Sequence, residues 1–187
     1  MSPRGSDDVR VAIVDYGMGN LFSVRRACEA ADLPAVVTSD AAEVLRSDGV
    51  VLPGVGAFGE AMATLRERGL DEALRAAAAA GRPILGICLG MQLLADRSEE
   101  FGVHDGLGIV GGVVRRLPRD AAAGAHPKLP HIGWSAINPS RGDRSWSGTL
   151  LDGLPPGVPM YFVHSYAVLP ADPRAWRARA AYGGAEF

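Results

Sequence analysis

Short apolar runs alternate with segments whose apolar positions recur at helical spacing through the first half of the chain. Val9 to Val14 reads as a buried strand and ends in Asp15-Tyr16-Gly17-Met18-Gly19-Asn20. From Leu21 to Ala31 the apolar positions Leu21, Val24, Ala27, Cys28 and Ala31 fall on one helical face, with Asn20 in the place of an N-cap. Ala35 to Thr38 predicts a second strand and Ala41 to Leu45 a short helix. Gly49-Val50-Val51-Leu52 predicts another buried strand, broken by Pro53-Gly54-Val55-Gly56. Ala57 to Ala80 has a helical pattern interrupted near Gly69, with Asp71 and Glu72 opening its second half. Pro83-Ile84-Leu85 then leads into Gly86-Ile87-Cys88-Leu89-Gly90 and on to Met91-Gln92-Leu93-Leu94-Ala95, a good helix former. Strands alternating with helices predict a largely parallel α/β sheet covered on both faces.

After Phe101 the pattern changes. Gly-rich and Pro-rich segments separate short β-like runs at Gly112-Val113-Val114, His131-Ile132-Gly133-Trp134 and Met160-Tyr161-Phe162-Val163. These predict a second, smaller group of strands, antiparallel and joined by long loops. Arg141 to Gly148 is polar and expected to be exposed. With no internal repeat, low-complexity tract or linker, the whole of 1–187 is expected to form one α/β domain.

Composition narrows the class. The 187 residues are 48% hydrophobic and 21% charged, which suits a chain able to bury a core. A net charge of −2 gives no basic footprint, so nucleic acid is not expected as a partner. Two cysteines, Cys28 and Cys88, cannot make a disulfide framework, which fits a reducing cytoplasm. The polar first ten residues lack the apolar core of a signal peptide, and no segment has the roughly 20 apolar residues of a membrane span.

Chemistry concentrates at Cys88. A strand, a sharp turn and a helix place a thiol at the apex with a glycine two positions away on each side, the composition of a nucleophile elbow. The dipole of the following helix favours a thiolate there. A buried structural cysteine between packing glycines is the bland alternative, and the strand-before, helix-after context weighs against it. Pro53-Gly54-Val55-Gly56 also closes a strand before a helix, so in a parallel sheet both turns should face one crevice. Its backbone N–H groups are candidates for an oxyanion hole, with a plain turn as the alternative. Gly17-Met18-Gly19 lacks the third glycine and the acidic ribose partner of a dinucleotide site, and that reading is rejected. His164, after the run Met160 to Val163, is either a base for Cys88, a satisfied loop histidine or a pocket wall. His104, His126 and His131 have no metal-ligand spacing and are expected as surface or capping residues, and Cys28 as core.

Five segments occur in order: Asp15-Tyr16-Gly17-Met18-Gly19-Asn20-Leu21, Leu52-Pro53-Gly54-Val55-Gly56-Ala57-Phe58, Pro83 to Gln92, Pro130-His131-Ile132-Gly133-Trp134 and Tyr161-Phe162-Val163-His164-Ser165-Tyr166. Together they closely resemble the glutaminase subunits of imidazole glycerol phosphate synthase, a class I glutamine amidotransferase family of histidine biosynthesis. The likeness runs from about Val11 to Phe187. It implies a class I glutamine amidotransferase (flavodoxin-like) fold in which Cys88 attacks the side-chain amide of glutamine, forming a thioester and releasing ammonia. It further implies that the N–H groups of Leu89 and Val55 hold the oxyanion. Gly56, Gln92, Glu100, Ser165 and Tyr166 match positions that hold glutamine, with Glu100 pairing with its ammonium group. Asn20, Ser23, Trp134 and Tyr161 match positions near the interface with a (β/α)₈ cyclase subunit. There the ammonia joins a phosphoribosyl-formimino carboxamide nucleotide to give imidazole glycerol phosphate and an aminoimidazole carboxamide ribotide. A heterodimer is implied, with no cofactor and no metal, and a glutaminase nearly silent until the partner rearranges the oxyanion strand. The family's catalytic histidine and glutamate lie in a His-Pro-Glu-Lys-Ser segment, and no His-x-Glu occurs in this sequence. Tyr182-Gly183-Gly184-Ala185-Glu186-Phe187 matches the stretch just before it, so a C-terminally truncated glutaminase domain is expected. The alternatives are a catalytically inert subunit that docks on the cyclase, and a stand-alone cysteine hydrolase using His164.

Overall fold

The computed structural model describes residues 9–118, 128–140 and 145–187. The chain divides into two compact units, Met1–Val110 and Gly111–Phe187.

The first unit follows the alternating pattern of its sequence. Strand β1 (Val11–Val14) leads to helix α1 (Leu21–Ala30), β2 (Ala35–Thr38), α2 (Ala41–Arg46) and β3 (Gly49–Gly54). Then come α3 (Phe58–Glu67), α4 (Leu70–Ala79), β4 (Ile84–Cys88), α5 (Leu89–Leu93), β5 (Ala95–Ser98) and β6 (His104–Asp105). The first four strands form a parallel sheet in the order β2-β1-β3-β4. Ala12, Ile13, Val14 and Leu52 are fully buried in its two central strands. Burial of such aliphatic side chains stabilises by roughly 1.5–3 kcal/mol each. Asn20 caps α1 by accepting from Ser23 N–H, as its position predicts. Gly69, at φ 65°, breaks the long helical run into α3 and α4, a backbone conformation that glycine adopts without a Cβ clash. Cys28 is 6% exposed and packs with Val11, Ile13 and Val51, so the expectation of a core cysteine holds.

Two element boundaries and the cover of the sheet differ most from expectation. β3 continues through Pro53 and Gly54, which stand opposite Ile87 and Cys88. The helix after Cys88 stops at Leu93 although Leu94 and Ala95 are helix formers. Leu107 N–H takes the Leu93 carbonyl, and the N–H groups of Ile109 and Val110 take that of Leu94, so returning chain replaces the helical partners. β4 ends the parallel sheet, with Leu85 and Ile87 exposed, so cover on both faces is not complete there.

The second unit is built from antiparallel pairs, as its short β-like runs predict. β7 (Val110–Arg116), β8 (His131–Ala136), β9 (Asn138–Pro139), β10 (Pro159–His164) and β11 (Tyr166–Pro170) come first. β12 (Ala178–Arg179), β13 (Ala181–Tyr182) and β14 (Ala185–Glu186) end the chain. β10 pairs with β8, β11 with β7, β12 with β9 and β13 with β14. Residues 141–144 and His126 lie outside the described residues. In the expected polar stretch ending at Gly148, Trp146 is buried with Ile137 and Ala180. Its indole N–H donates to the Arg177 carbonyl at 2.7 Å, which supplies the partner a buried tryptophan needs.

Among the described residues, no helix is long and apolar enough to cross a membrane.

Candidate active site

Cys88 sits between β4 and α5 with φ 55° and ψ −117°, a positive-φ conformation that costs a side-chain-bearing residue about 1–3 kcal/mol. The surroundings enforce it. A Cβ on Gly86 would lie 2.5 Å from Met91 Cα, one on Gly54 would lie 2.6 Å from the Tyr16 hydroxyl, and one on Gly90 would fall onto the Leu52 carbonyl. Each glycine of the motif is thus fixed by backbone packed against it. The expected elbow is present, and the Cys88 side chain is exposed rather than buried as a structural thiol would be.

The neighbouring strand end leads into two further candidate residues, Val55 and Gly56. Gly54 stands opposite Cys88, and Val55 and Gly56 follow as the chain leaves the sheet. Tyr16 is buried beside them and donates its hydroxyl to the Pro53 carbonyl at 3.0 Å. Burial, with a smaller contribution from nearby Cys88, pushes its hydroxyl well above the ordinary tyrosine range, so it remains a donor. The Val55 N–H donates to the Met18 carbonyl at 3.1 Å. Gly56 has φ 105°, and a Cβ there would lie 2.7 Å from Met18 Cε. Asp15 to Asn20 therefore packs over Pro53-Gly54-Val55-Gly56 rather than forming a phosphate cradle.

Gln92 is buried on α5, one helical turn beyond Cys88. Glu100 accepts from Phe58 N–H at 2.8 Å, two residues after Gly56, and so caps the start of α3 with a carboxylate. Cys88, Leu89, Val55, Gly56, Gln92 and Glu100 thus all lie in the first unit, with Asn20 and Ser23 exposed at the start of α1.

Ser165, Tyr166, Trp134 and Tyr161 lie in the second unit. Trp134 and Tyr161 are opposite each other on β8 and β10, with ring centroids 5.5 Å apart. They are 71% and 56% exposed, and Ile132 and Val163 form the next exposed pair along the ladder.

His131 corrects the expectation of a surface or capping residue: it is 2% exposed. Its ring stacks on Tyr182 at 4.0 Å, and its nitrogens lie 3.1 Å from His164 Nε2 and 3.1 Å from Ser135 Oγ, so burial leaves no polar atom unsatisfied. His164 bonds to the Tyr166 carbonyl at 3.0 Å, so both its ring nitrogens have protein partners. Burial lowers the pKa of both histidines, and for His131 the charge of His164 adds to it. His104 is half-buried with its ring against Gly59. Sequence reasoning missed Tyr16, Met18 and the histidine pair. The tyrosine and methionine lie in Asp15-Tyr16-Gly17-Met18-Gly19-Asn20, whose glycines, rather than these two side chains, attract attention in the sequence.

The sequence profile of the family Glutamine amidotransferase class-I matches residues 12–184. The imidazole glycerol phosphate synthase subunit HisH of Symbiobacterium thermophilum is 50% identical over 174 residues, covering 93% of this chain and 77% of that protein. The subunit of the same name from Moorella thermoacetica is 45% identical, covering 92% and 77%. In fold, a crystal structure of a glutamine amidotransferase matches at TM-score 0.61 with 16% identity, over 84% of this chain and 72% of that one. The chain therefore belongs to the class-I glutamine amidotransferases and, within them, to the family of imidazole glycerol phosphate synthase subunit HisH.

Proposed function

We propose that this protein is the glutaminase subunit of imidazole glycerol phosphate synthase, acting in histidine biosynthesis and feeding ammonia to a cyclase subunit in a heterodimer. The observation that carries the chemistry is the strained Cys88 at the β4–α5 turn, held by glycines that no other residue could replace without backbone movement. The Cys88 thiolate attacks the amide carbon of glutamine, the C–N bond breaks as the leaving nitrogen takes up a proton, ammonia departs and a thioester remains. Water then cleaves the thioester and returns glutamate.

The N–H groups of Leu89 and Val55 are the oxyanion donors in this reading. With its N–H given to Met18, the Val55 peptide has to turn before it can serve, which fits a subunit silent until its partner binds. Gly56, Gln92, Glu100, Ser165 and Tyr166 hold glutamine. A carboxylate has about four lone-pair sites, so Glu100 can receive the substrate ammonium and keep its bond to Phe58. Asn20, Ser23, Trp134 and Tyr161 form the docking surface, an assignment supported by their exposure and by the aromatic pair. One glutamine amidotransferase domain covering both units is supported by a family match that runs through both. Two cysteines without a disulfide support a cytoplasmic location.

A second reading, a subunit that docks without turnover, is favoured by one observation: both ring nitrogens of His164 are engaged within its own unit. The two readings separate when the protein is assayed with the cyclase, with glutamine in one reaction and an ammonium salt in another. Product from glutamine establishes the glutaminase. Product from ammonium alone, with a stable complex, establishes the docking subunit. Failure to form a complex contradicts both.

A further inference from the structure

The second unit contains a hydrogen-bonded chain of two histidines that the chemistry above does not use. His164 Nδ1 lies 3.0 Å from the Tyr166 carbonyl oxygen. Its Nε2 lies 3.1 Å from His131 Nδ1, and His131 Nε2 lies 3.1 Å from Ser135 Oγ. A carbonyl can only accept, so His164 carries its proton on Nδ1. In the neutral ring Nε2 is then bare, and His131 must donate to it from its own Nδ1. His131 Nε2 is bare in turn and accepts the Ser135 hydroxyl. One carbonyl at the end of the chain thus sets every donor along it.

That carbonyl lies at a joint. Ser165 is the residue between β10 and β11, whose partners differ: β10 pairs with β8 and β11 with β7. The Ser165 carbonyl accepts from Leu117 N–H at 2.9 Å, and the next carbonyl, that of Tyr166, accepts from His164. Two successive peptide planes are therefore each held by a named donor. Tyr182 and Phe162 stack on His131 with interplanar angles of 20° and 18°, which fixes the plane of the ring that orients His164. Stability alone does not call for this arrangement, because replacing both members of a buried polar pair by apolar groups of similar shape is nearly neutral. A fixed direction at the joint does call for it.

We infer that His131 and His164 are positioning residues for glutamine: the chain from Ser135 through both imidazoles locks the Tyr166 peptide, and with it the Ser165–Tyr166 segment. The inference rests on the proposed assignment of Ser165 and Tyr166 to substrate binding. Two measurements test it. In the ¹⁵N-histidine-labelled protein, the imidazole nitrogen shifts of both residues should report a protonated Nδ1 and a bare Nε2. A protonated Nε2 on neutral His164 overturns the inference. In the cyclase-bound protein, glutamine affinity is measured by calorimetry. His164→Phe removes the donor and should weaken binding about tenfold, the scale of one net hydrogen bond. His164→Asn, which can place an amide N–H near the Nδ1 position, should stay within about twofold, a small part of that effect. His131→Phe keeps the stack on Tyr182 and should fall between the two. Unchanged affinity in His164→Phe, or equal loss in the Phe and Asn variants with parental melting, overturns the inference while glutamine binding by the parent keeps the site reading intact. A parent complex that does not bind glutamine removes the site reading and the inference together.

Discussion

β3 and β4 run side by side to Gly54 and Cys88, and the two turns that follow are built differently. Beyond β4, the elbow is set by backbone pressed against backbone: Met91 on Gly86, and the Leu52 carbonyl on Gly90. Beyond β3, Val55 is 54% exposed and its N–H is held by the carbonyl of Met18, a residue of a loop. The proposed nucleophile is thus preorganised, whereas the group proposed to stabilise charge in the transition state is parked on a partner it can exchange. A subunit that should release ammonia only when a cyclase can use it would need this division, with reactivity fixed and electrostatic help withheld.

The two turns should respond differently to the same substitution. Gly90→Ala drives a methyl group into the Leu52 carbonyl and is expected to cost about 3 kcal/mol or more, or to prevent folding. Gly56→Ala meets only the flexible end of Met18 and an unfavourable φ, with an expected cost of about 1–2 kcal/mol. Denaturant unfolding of the two variants reads the difference, and equal costs would show that the two turns are held alike.

Trp134→Ala should lower affinity for the cyclase by about 2 kcal/mol, as expected for an aromatic anchor, while leaving the melting temperature near that of the parent because the ring is exposed. Loss of stability without loss of affinity would move Trp134 out of the docking surface. Tyr16→Phe deletes the bond to the Pro53 carbonyl inside the fixed part of the site and is expected to cost about 1 kcal/mol in chemical denaturation. The smallest effect is that of pH. His131 and His164 have lowered folded pKa values, so the unfolded chain binds protons first as pH falls. Their contribution to stability is complete above about pH 6.5, the unfolded value, and declines below it. The pair accepts one proton without breaking, because two would set His131 N–H against His164 N–H. Stability that is flat between neutral pH and pH 5 would contradict this.

The elbow was legible because its requirements are written in residue type: glycines where any Cβ would collide, and apolar runs on either side. The parallel strands and the Asn20 cap were legible for similar reasons. The direction of the Val55 N–H was not, because a peptide plane in a glycine-rich turn is set by which carbonyl lies nearby, and that carbonyl belongs to Met18, far away in sequence. His131 was misplaced for a related reason. A histidine is read from sequence as polar, and only the fold supplies the serine, histidine and tyrosine that make its burial favourable. β5 was missed because hydrogen bonds from Leu107 to Val110 outweigh the helical preference of Leu94 and Ala95.

The central claim is that Cys88 is the glutaminase nucleophile, and a covalent trap tests it most directly. The cyclase-bound protein is treated with 6-diazo-5-oxo-norleucine, a glutamine analogue that alkylates an attacking thiolate, and the modified residue is located by peptide mass spectrometry. The expected result is modification of Cys88, slowed by added glutamine, with Cys28 untouched in its core position. Modification of Cys28 in the folded complex, or modification of Cys88 at a rate that glutamine does not change, would contradict the account.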